Sequence, residues 1–348
     1  VGMGNDAGLI LGQTMSNEGA WNALRFFREH VGSGNVDFRF EAHAPKRGEG
    51  FVYSTGKSNV SNSIASYEGA KAVLVFDTDL SDSLPMLYLR ARKAWLNKGT
   101  RVFVVSENAQ DADSFALISL RCPREKMHVV ANYLAGTASL EEAAAATDLQ
   151  VGKLEAMKSG LAGVAVVTTT ELYETKHGND IALALNGVAT AHEGSFNLYA
   201  RGANEQGLYQ MEAYPEPNFL SAREMLKAAS LGNLKALWLI DVDPFECGLP
   251  REEVIAALEN IEFLVVQGPR RNEAFYYASV TLPMALPAEC DGSYTNMDGT
   301  VQELKAVIPA PGDAKPVWRV FEEFSARVKP AMPSMTAAAV RELIPALR

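Results

Sequence analysis

Between Leu234 and Gln302 the sequence carries three short apolar runs, Ala236–Ile240, Phe263–Gln267 and Ala278–Leu282, which stop at Asp241, Gln267 and Pro283. Apolar runs without strict alternation suit strands covered on both faces, as in a parallel sheet. One helical segment separates the first two runs and a short connector the last two. A polar, glycine-rich stretch, Glu289–Gly299, follows. The polar groups therefore gather at one end of the strands, and in an open parallel sheet that end is where ligands sit. The chain reads as an α/β protein with a strand-end crevice.

The same grammar extends to the rest of the chain. Leu9–Gly12 reads as a strand leading into a helix, with Ser16 as N-cap and Glu18 near the positive end of the helix dipole. Trp21, Leu24, Phe26 and Phe27 give that helix its apolar face, and Gly32-Ser-Gly34 ends it. Thr14–Glu18 reads as a capped junction, with a ligand-facing loop as the alternative. Lys71–Phe76 is a buried strand followed by Asp77-Thr-Asp79. Pro85 then opens an amphipathic helix that reaches Gly99, and Arg101–Ser106 is the next strand. Asp77 and Asp79 could meet a ribose or a metal, although polar residues commonly end parallel strands.

Helices are expected at Met127–Ala135, Leu140–Ala146, Val151–Ser159 and Asn179–Leu185, and a strand at Val164–Thr168. Val317–Val328 should be amphipathic, with Trp318, Phe321 and Phe324 on its apolar side. Thr336 is placed to cap a last helix, Ala337–Leu347. Asn35–Ser63 and Phe196–Pro217 are polar and turn-rich and read as irregular. In the first of these, His43 is the residue suited to proton transfer, a solvated loop histidine being the plainer reading. No internal repeat is visible.

A chain of 348 residues, 47% hydrophobic and 21% charged, builds two or three domains or one large discontinuous one. Its net charge of −10 opposes nucleic-acid or anionic-membrane binding, and Arg270-Arg271 is too small a cluster to track phosphates. No apolar run approaches the roughly 20 residues of a bilayer span, so direct membrane insertion is not expected. The start, VGMGNDAG, has neither signal-peptide character nor an initiator Met, and the chain reads as a piece cut near a domain boundary. Cys122, Cys247 and Cys290 lack metal-ligand spacing, which points to reduced buried thiols in a cytosolic protein and to no metal site. No nucleophile elbow, zinc-protease helix, Walker loop or dinucleotide fingerprint occurs, and the glycines of GMGN at 2–5 have no strand before them. The residues alone name no catalytic group.

Glu289-Cys-Asp-Gly292-Ser-Tyr-Thr295-Asn296-Met-Asp298-Gly299-Thr-Val-Gln302 resembles the "E-x-x-G-T-x-x-N-x-E-G-R-x-Q" motif of the molybdopterin oxidoreductase superfamily, the formate dehydrogenase-like group. Ala278–Pro283 is similar to that family's "A-D-V-V-L-P", and Trp318 stands where the family has a tryptophan before a helix. Leu11–Asp37 resembles the unit ending "G-T-N-N-I-D", Lys71–Ser106 the "A-D-x-I-L-x-x-G-x-D-P" unit, and Ala203–Gly207 the "N-x-x-G" segment. The resemblance implies formate dehydrogenase/DMSO reductase-like domains 1–3, with two doubly wound parallel-sheet domains, one inserted in the other. Residues 1–35 and 160–304 would form the discontinuous domain, 36–159 the inserted one, and 305–348 a C-terminal connector and helices.

Departures from the pattern suggest a subtype. Catalytic members place a Cys or selenocysteine metal ligand shortly after the "N-x-D" position. Here Asp37 is followed by Phe38-Arg39-Phe40-Glu41-Ala42-His43. Gly268 stands where active relatives often have Asp, and Thr300 replaces an Arg, whose bidentate fork Thr cannot supply. The "N-x-D-x-R" form is similar to the large iron–sulfur (G-type) subunit of NADH:quinone oxidoreductase, respiratory complex I. That resemblance implies a non-catalytic scaffold, with iron–sulfur clusters in an N-terminal part outside this chain and other subunits of the respiratory complex as partners. It also implies a cytoplasmic location, peripheral to the inner membrane through the complex. The alternative is the catalytic part of a molybdopterin enzyme such as formate dehydrogenase. Asp243, Gln267, Thr295 and Asn296 would then line the pterin crevice, and His43 would move protons near the metal. A free-standing nucleotide-binding α/β protein is a third reading, weakened by the missing phosphate loop.

Overall fold

Most of the continuous apolar runs form strands covered on both faces, but the run Ala278–Leu282 supplies a mostly exposed edge strand instead. In chain order the strands are β1 (Ala7–Leu11), β2 (Val36–Asp37), β3 (Ala72–Phe76), β4 (Arg101–Ser106), β5 (Ile118–Arg121), β6 (Val164–Thr169), β7 (Ser195–Tyr199), β8 (Ala236–Ile240), β9 (Phe263–Gly268), β10 (Val280–Pro283), β11 (Gly292–Thr295) and β12 (Val301–Leu304). Every residue of β1, β3 and β6 is buried. This computed structural model describes residues 4–55, 59–147 and 149–328, with 339, 340 and 342. Apart from those last three positions, the expected helix Ala337–Leu347 and its Thr336 cap lie outside the described residues.

The chain divides into two units. The first comprises Val1–Phe40, Lys46–Gly48 and Gly202–Arg348, and the second Glu41–Pro45 and Glu49–Arg201. In the first unit five parallel strands run in the order β10-β9-β8-β1-β2. Successive side chains enter opposite layers, as strand geometry requires. Leu9, Leu11, Trp238 and Ile240 pack with the helices Asn17–Arg25 and Val317–Ser325. Ile10, Leu237, Leu239 and Leu264 pack with Ala222–Ser230 and Arg251–Asn260. Each such Leu or Ile withdrawn from water contributes about 1.5–3 kcal/mol. Ser221 and Glu224 close a capping box at the start of Ala222–Ser230. Trp318, expected on the apolar side of its helix, is only half-buried, and its indole N–H points to the Asp291 carbonyl at 3.4 Å.

In the second unit the order is β5-β4-β3-β6-β7, again all parallel. Leu74, Phe76, Phe103 and Val105 form one layer with the helices Met127–Ala135 and Gly178–Ala191. The fold class expected from the sequence, two parallel sheets with one unit inserted in the other, is the one observed.

Four local expectations give way. The inserted unit runs to Arg201 rather than ending at 159, because β6 pairs with β3 and β7 with β6. Phe196–Pro217 is not irregular; it begins inside β7 and contains the helix Glu205–Gln210. The polar stretch Glu289–Gly299 is mostly one arm and the turn of an antiparallel hairpin, β11–β12. A repeat is also present. Read as β3-β4-β5-β6-β7 and β8-β9-β10-β1-β2, the two sheets have the same strand order, one being a circular permutation of the other. Matching positions carry Asp77-Thr-Asp79 and Asp241-Val-Asp243 directly after β3 and β8.

Candidate functional site: strand-end crevices

A doubly wound sheet opens a crevice where successive connections leave in opposite directions. In the first unit that point lies between β1 and β8. The Gly12 N–H donates to the Ile240 carbonyl at 2.7 Å, and a Cβ on Gly12 would lie 2.0 Å from the Asp241 carbonyl oxygen. Only glycine permits this approach. Asp241 sits in the left-handed region at φ 54°, with its N–H donating to the Gln267 carbonyl at 2.8 Å. Its carboxylate accepts the Thr14 hydroxyl. Burial pushes the Asp241 pKa up, and the Thr14 hydrogen bond opposes that shift. Asp243 caps the next turn by accepting from Phe245 N–H at 3.0 Å.

Beside them is a cavity of about 290 Å³ lined by residues that include Asp241, Asp243, Gln267, Arg270, Asn272 and Phe275. Gln267 is 1% exposed, and neither end of its amide has a hydrogen-bond partner. A buried amide left in this state costs about 1–3 kcal/mol, so the amide is the wall group best suited to meet a ligand. Of the four residues expected at a pterin crevice, Asp243 and Gln267 meet here. Thr295 and Asn296 line no part of this cavity.

Thr295 instead belongs to a buried polar knot. Its N–H donates to Asn204 Oδ1 at 2.6 Å, Asn204 donates to Asn17 Oδ1 at 3.0 Å, and Asn17 donates to both Ser293 and Thr295 hydroxyls at 3.2 Å. The Glu18 carboxylate accepts the Ser293 N–H at 2.8 Å and its hydroxyl at 2.6 Å. A Cβ on Gly207 would lie 2.3 Å from Asn17 Oδ1, which accounts for the glycine of Asn204–Gly207. Asn296 holds the β11–β12 turn by accepting from Asp298 and Thr300 N–H groups at 3.1 and 2.9 Å. Thr14–Glu18 resolves as a capped junction, since Ser16 Oγ accepts the Gly19 N–H.

The segment after Asp37 is closed by an ion pair. Arg39 Nε lies 2.8 Å from Asp37 Oδ1, and both side chains are 1% exposed. Asp37 also accepts from the backbone N–H groups of Phe38, Arg39 and Ala222. The guanidinium lies 4.4 Å from the Tyr214 ring centroid. Burial would lower the Arg39 pKa, but the Asp37 carboxylate outweighs it and raises it. His43 lies on the surface of the second unit with its N–H on the Tyr173 carbonyl, and lines neither crevice.

The second unit has its own crevice between β3 and β6. Asp77 repeats the Asp241 geometry, with φ 50° and its N–H donating to the Val105 carbonyl at 2.9 Å. Arg124 Nε donates to Asp77 Oδ1 at 2.9 Å, while Oδ2 has no partner. Burial pushes the Asp77 pKa up to about 6; Arg124 opposes the shift, and Glu171 and Glu107 add to it. A cavity of about 320 Å³ opens here. Asp79 is spent on a cap, accepting from Ser81. Among the described residues no group of three or more His, Cys, Asp or Glu side chains could hold a metal ion. Cys122 and Cys247 are buried, as expected, but Cys290 is only half-buried. No helix among the described residues is long and apolar enough to cross a membrane.

Comparison with known proteins matches residues 4–327 to the family model described as "Molybdopterin oxidoreductase". The alpha subunit of the NADPH-Fe(3+) oxidoreductase of Geobacter sulfurreducens is 25% identical over 96% of this chain and 46% of its own length. The G-type subunit of the NADH-quinone oxidoreductase of Streptomyces coelicolor is 24% identical over 86% of this chain and 39% of its own length. A putative formate dehydrogenase of Bacillus subtilis is 34% identical, but over 30% of this chain and 11% of its own. The chain thus spans less than half the length of these relatives. Among solved structures, acetylene hydratase from Pelobacter acetylenicus has a TM-score of 0.69 at 13% identity, covering 93% of this chain and 55% of that one. A formyltransferase/hydrolase complex from Methylorubrum extorquens gives 0.61 at 12% identity, covering 92% of each chain. At such identities these two bear on the fold alone.

Proposed function

The chain belongs to the molybdopterin oxidoreductase family, and from that premise we propose that it is a non-catalytic α/β body of a large iron–sulfur subunit, of the G type found in NADH:quinone oxidoreductase. In this reading the chain fixes partner subunits of the complex beside an electron path. The iron–sulfur clusters belong to another part of the full-length protein, and the complex holds the subunit on the cytoplasmic face of the membrane.

The observation that carries this reading is the Asp37–Arg39 pair. The segment in which the family resemblance calls for a metal-binding thiol has none, and its first two polar side chains are consumed by one another away from solvent. A desolvated guanidinium with a carboxylate and a tyrosine ring against it is a packing element, expensive to open. The pterin set also fits incompletely. Asp243 and Gln267 suit the N–H edge of a heterocycle, whereas Thr295 and Asn296 are occupied within the protein. The similarity along most of this chain to subunits of NAD(P)H-linked oxidoreductases supports the same reading.

The unpartnered amide of Gln267 favours a second reading, a catalytic molybdopterin-dependent oxidoreductase such as a formate dehydrogenase. Elemental analysis of the purified full-length protein separates the two. The scaffold reading expects iron without molybdenum or tungsten, and stoichiometric molybdenum with bound pterin would overturn it.

A further inference from the structure

We propose that the strand-end crevice of the second unit is a receptor for an organic cation, an ammonium or guanidinium group on an alkyl arm. This goes beyond the scaffold reading and does not rest on it. A nucleotide at the switch point of a parallel sheet needs N–H donors and positive potential for its phosphates. The crevice between β3 and β6 offers the reverse. Its lining includes Asp77, Asp79, Asp82, Glu107 and Glu171 against one cation, Arg124. Arg124 is engaged by Asp77 Oδ1, and Glu171 by Arg201 at 2.8 Å. Repulsion among the remaining carboxylates disfavours any anion entering the mouth.

The second observation is Asp77 itself. Its side chain is 3% exposed, it lines the cavity, and Oδ2 has no hydrogen-bond donor. The left-handed backbone and the Val105 hydrogen bond hold it in place. A buried carboxylate oxygen without a donor is costly, and a cationic N–H group supplies the missing donor beside the countercharge that Arg124 already gives. The cavity of about 320 Å³ accommodates a short alkyl arm behind that group. The described residues provide no three-ligand metal set, so the cation is organic rather than a metal ion. The crevice of the first unit differs at the same place in the fold. Its lining includes Arg270 and the neutral Gln267, and Asp241 is held by Thr14.

Calorimetric titration of the full-length protein at low ionic strength tests this with agmatine, spermidine and the peptide acetyl-Gly-Lys-Gly-amide. Asp82 and Glu107 are both exposed, so the double variant D82N/E107Q keeps the fold, and it should weaken cation binding by about tenfold or more. The pair E252Q/E253Q, on the helix Arg251–Asn260 of the first unit, should leave binding unchanged. Tighter binding of the lysyl peptide would assign the cation to a partner protein's side chain, and tighter binding of spermidine to a free polyamine; either upholds the receptor. No measurable heat from any of the three at millimolar concentration, or equal weakening by the two double variants, would overturn it.

Discussion

Asp37 and Arg39 neutralise one another two residues apart, at 2.8 Å and with 1% of either side chain exposed. The pair also ties β2 to the helix Ala222–Ser230, because the second oxygen of Asp37 accepts the Ala222 N–H. Truncation at Arg39 therefore strands a carboxylate in the interior. R39A should cost about 3–5 kcal/mol in urea unfolding. R39K should recover only part of that, since an ammonium cannot stack flat on Tyr214. A loss under about 1 kcal/mol for R39A would contradict the role given to the pair.

Asp77 makes stability depend on pH. Its unfolded carboxyl releases its proton near 3.8, whereas the folded one holds it to about 6. Between those values the folded state binds the extra proton, so stability is greatest at the acid end of the window and declines as pH rises through it. The size of the decline is about 3 kcal/mol. D77N should flatten the slope between pH 4 and 6 in thermal melts while slopes outside that window stay as they were.

The polar knot should behave as one unit. N204A removes the acceptor of the Thr295 N–H and the donor to Asn17, leaving both buried, and should cost about 2–4 kcal/mol. N17A breaks the same chain from the other side. A double-mutant cycle between them should return a coupling of more than about 1 kcal/mol, and strict additivity would argue that the knot is two independent contacts.

Gln267 discriminates between the two readings of the first crevice. With no ligand to meet, replacing an unpaired buried amide by an apolar isostere removes a penalty, so Q267L should be neutral or stabilising by about 1 kcal/mol. If the full-length protein carries pterin, the same variant should lower the pterin content recovered by extraction while its apparent melting temperature falls.

Much of this architecture was legible from the chain. The strands β3, β4, β8 and β9 announce themselves as apolar runs too continuous for a half-exposed surface, and their polar ends mark both crevices. Strand β7 was not legible, because Asn197 interrupts it. That asparagine is fully buried, and its amide bonds to Asn62 and to the N–H groups of Ser61 and Asn62, partners that sequence spacing cannot pair with it. The expected unit boundary fell before β6, whose pairing with β3 sequence spacing does not reveal. Thr295 and Asn296 read as part of a polar loop, because the run from Glu289 to Gly299 has too few apolar residues to announce the short hairpin strand that ends at Thr295. The Thr295 hydroxyl turns to Asn17, at the other end of the sequence. The duplicated Asp-x-Asp was in plain view, but the permuted strand order hid the repeat.

The permutation sets an order of events on the ribosome. Strands β3 to β7 lie in one uninterrupted stretch, so their sheet can close once Tyr199 has emerged from the ribosome. Strand β1 precedes those strands yet must wait for β8, since Leu9 has its neighbour in Trp238. Of the two units, the one that holds β1 is therefore completed second, and until β8 arrives the β8-facing edge of β1 is uncovered.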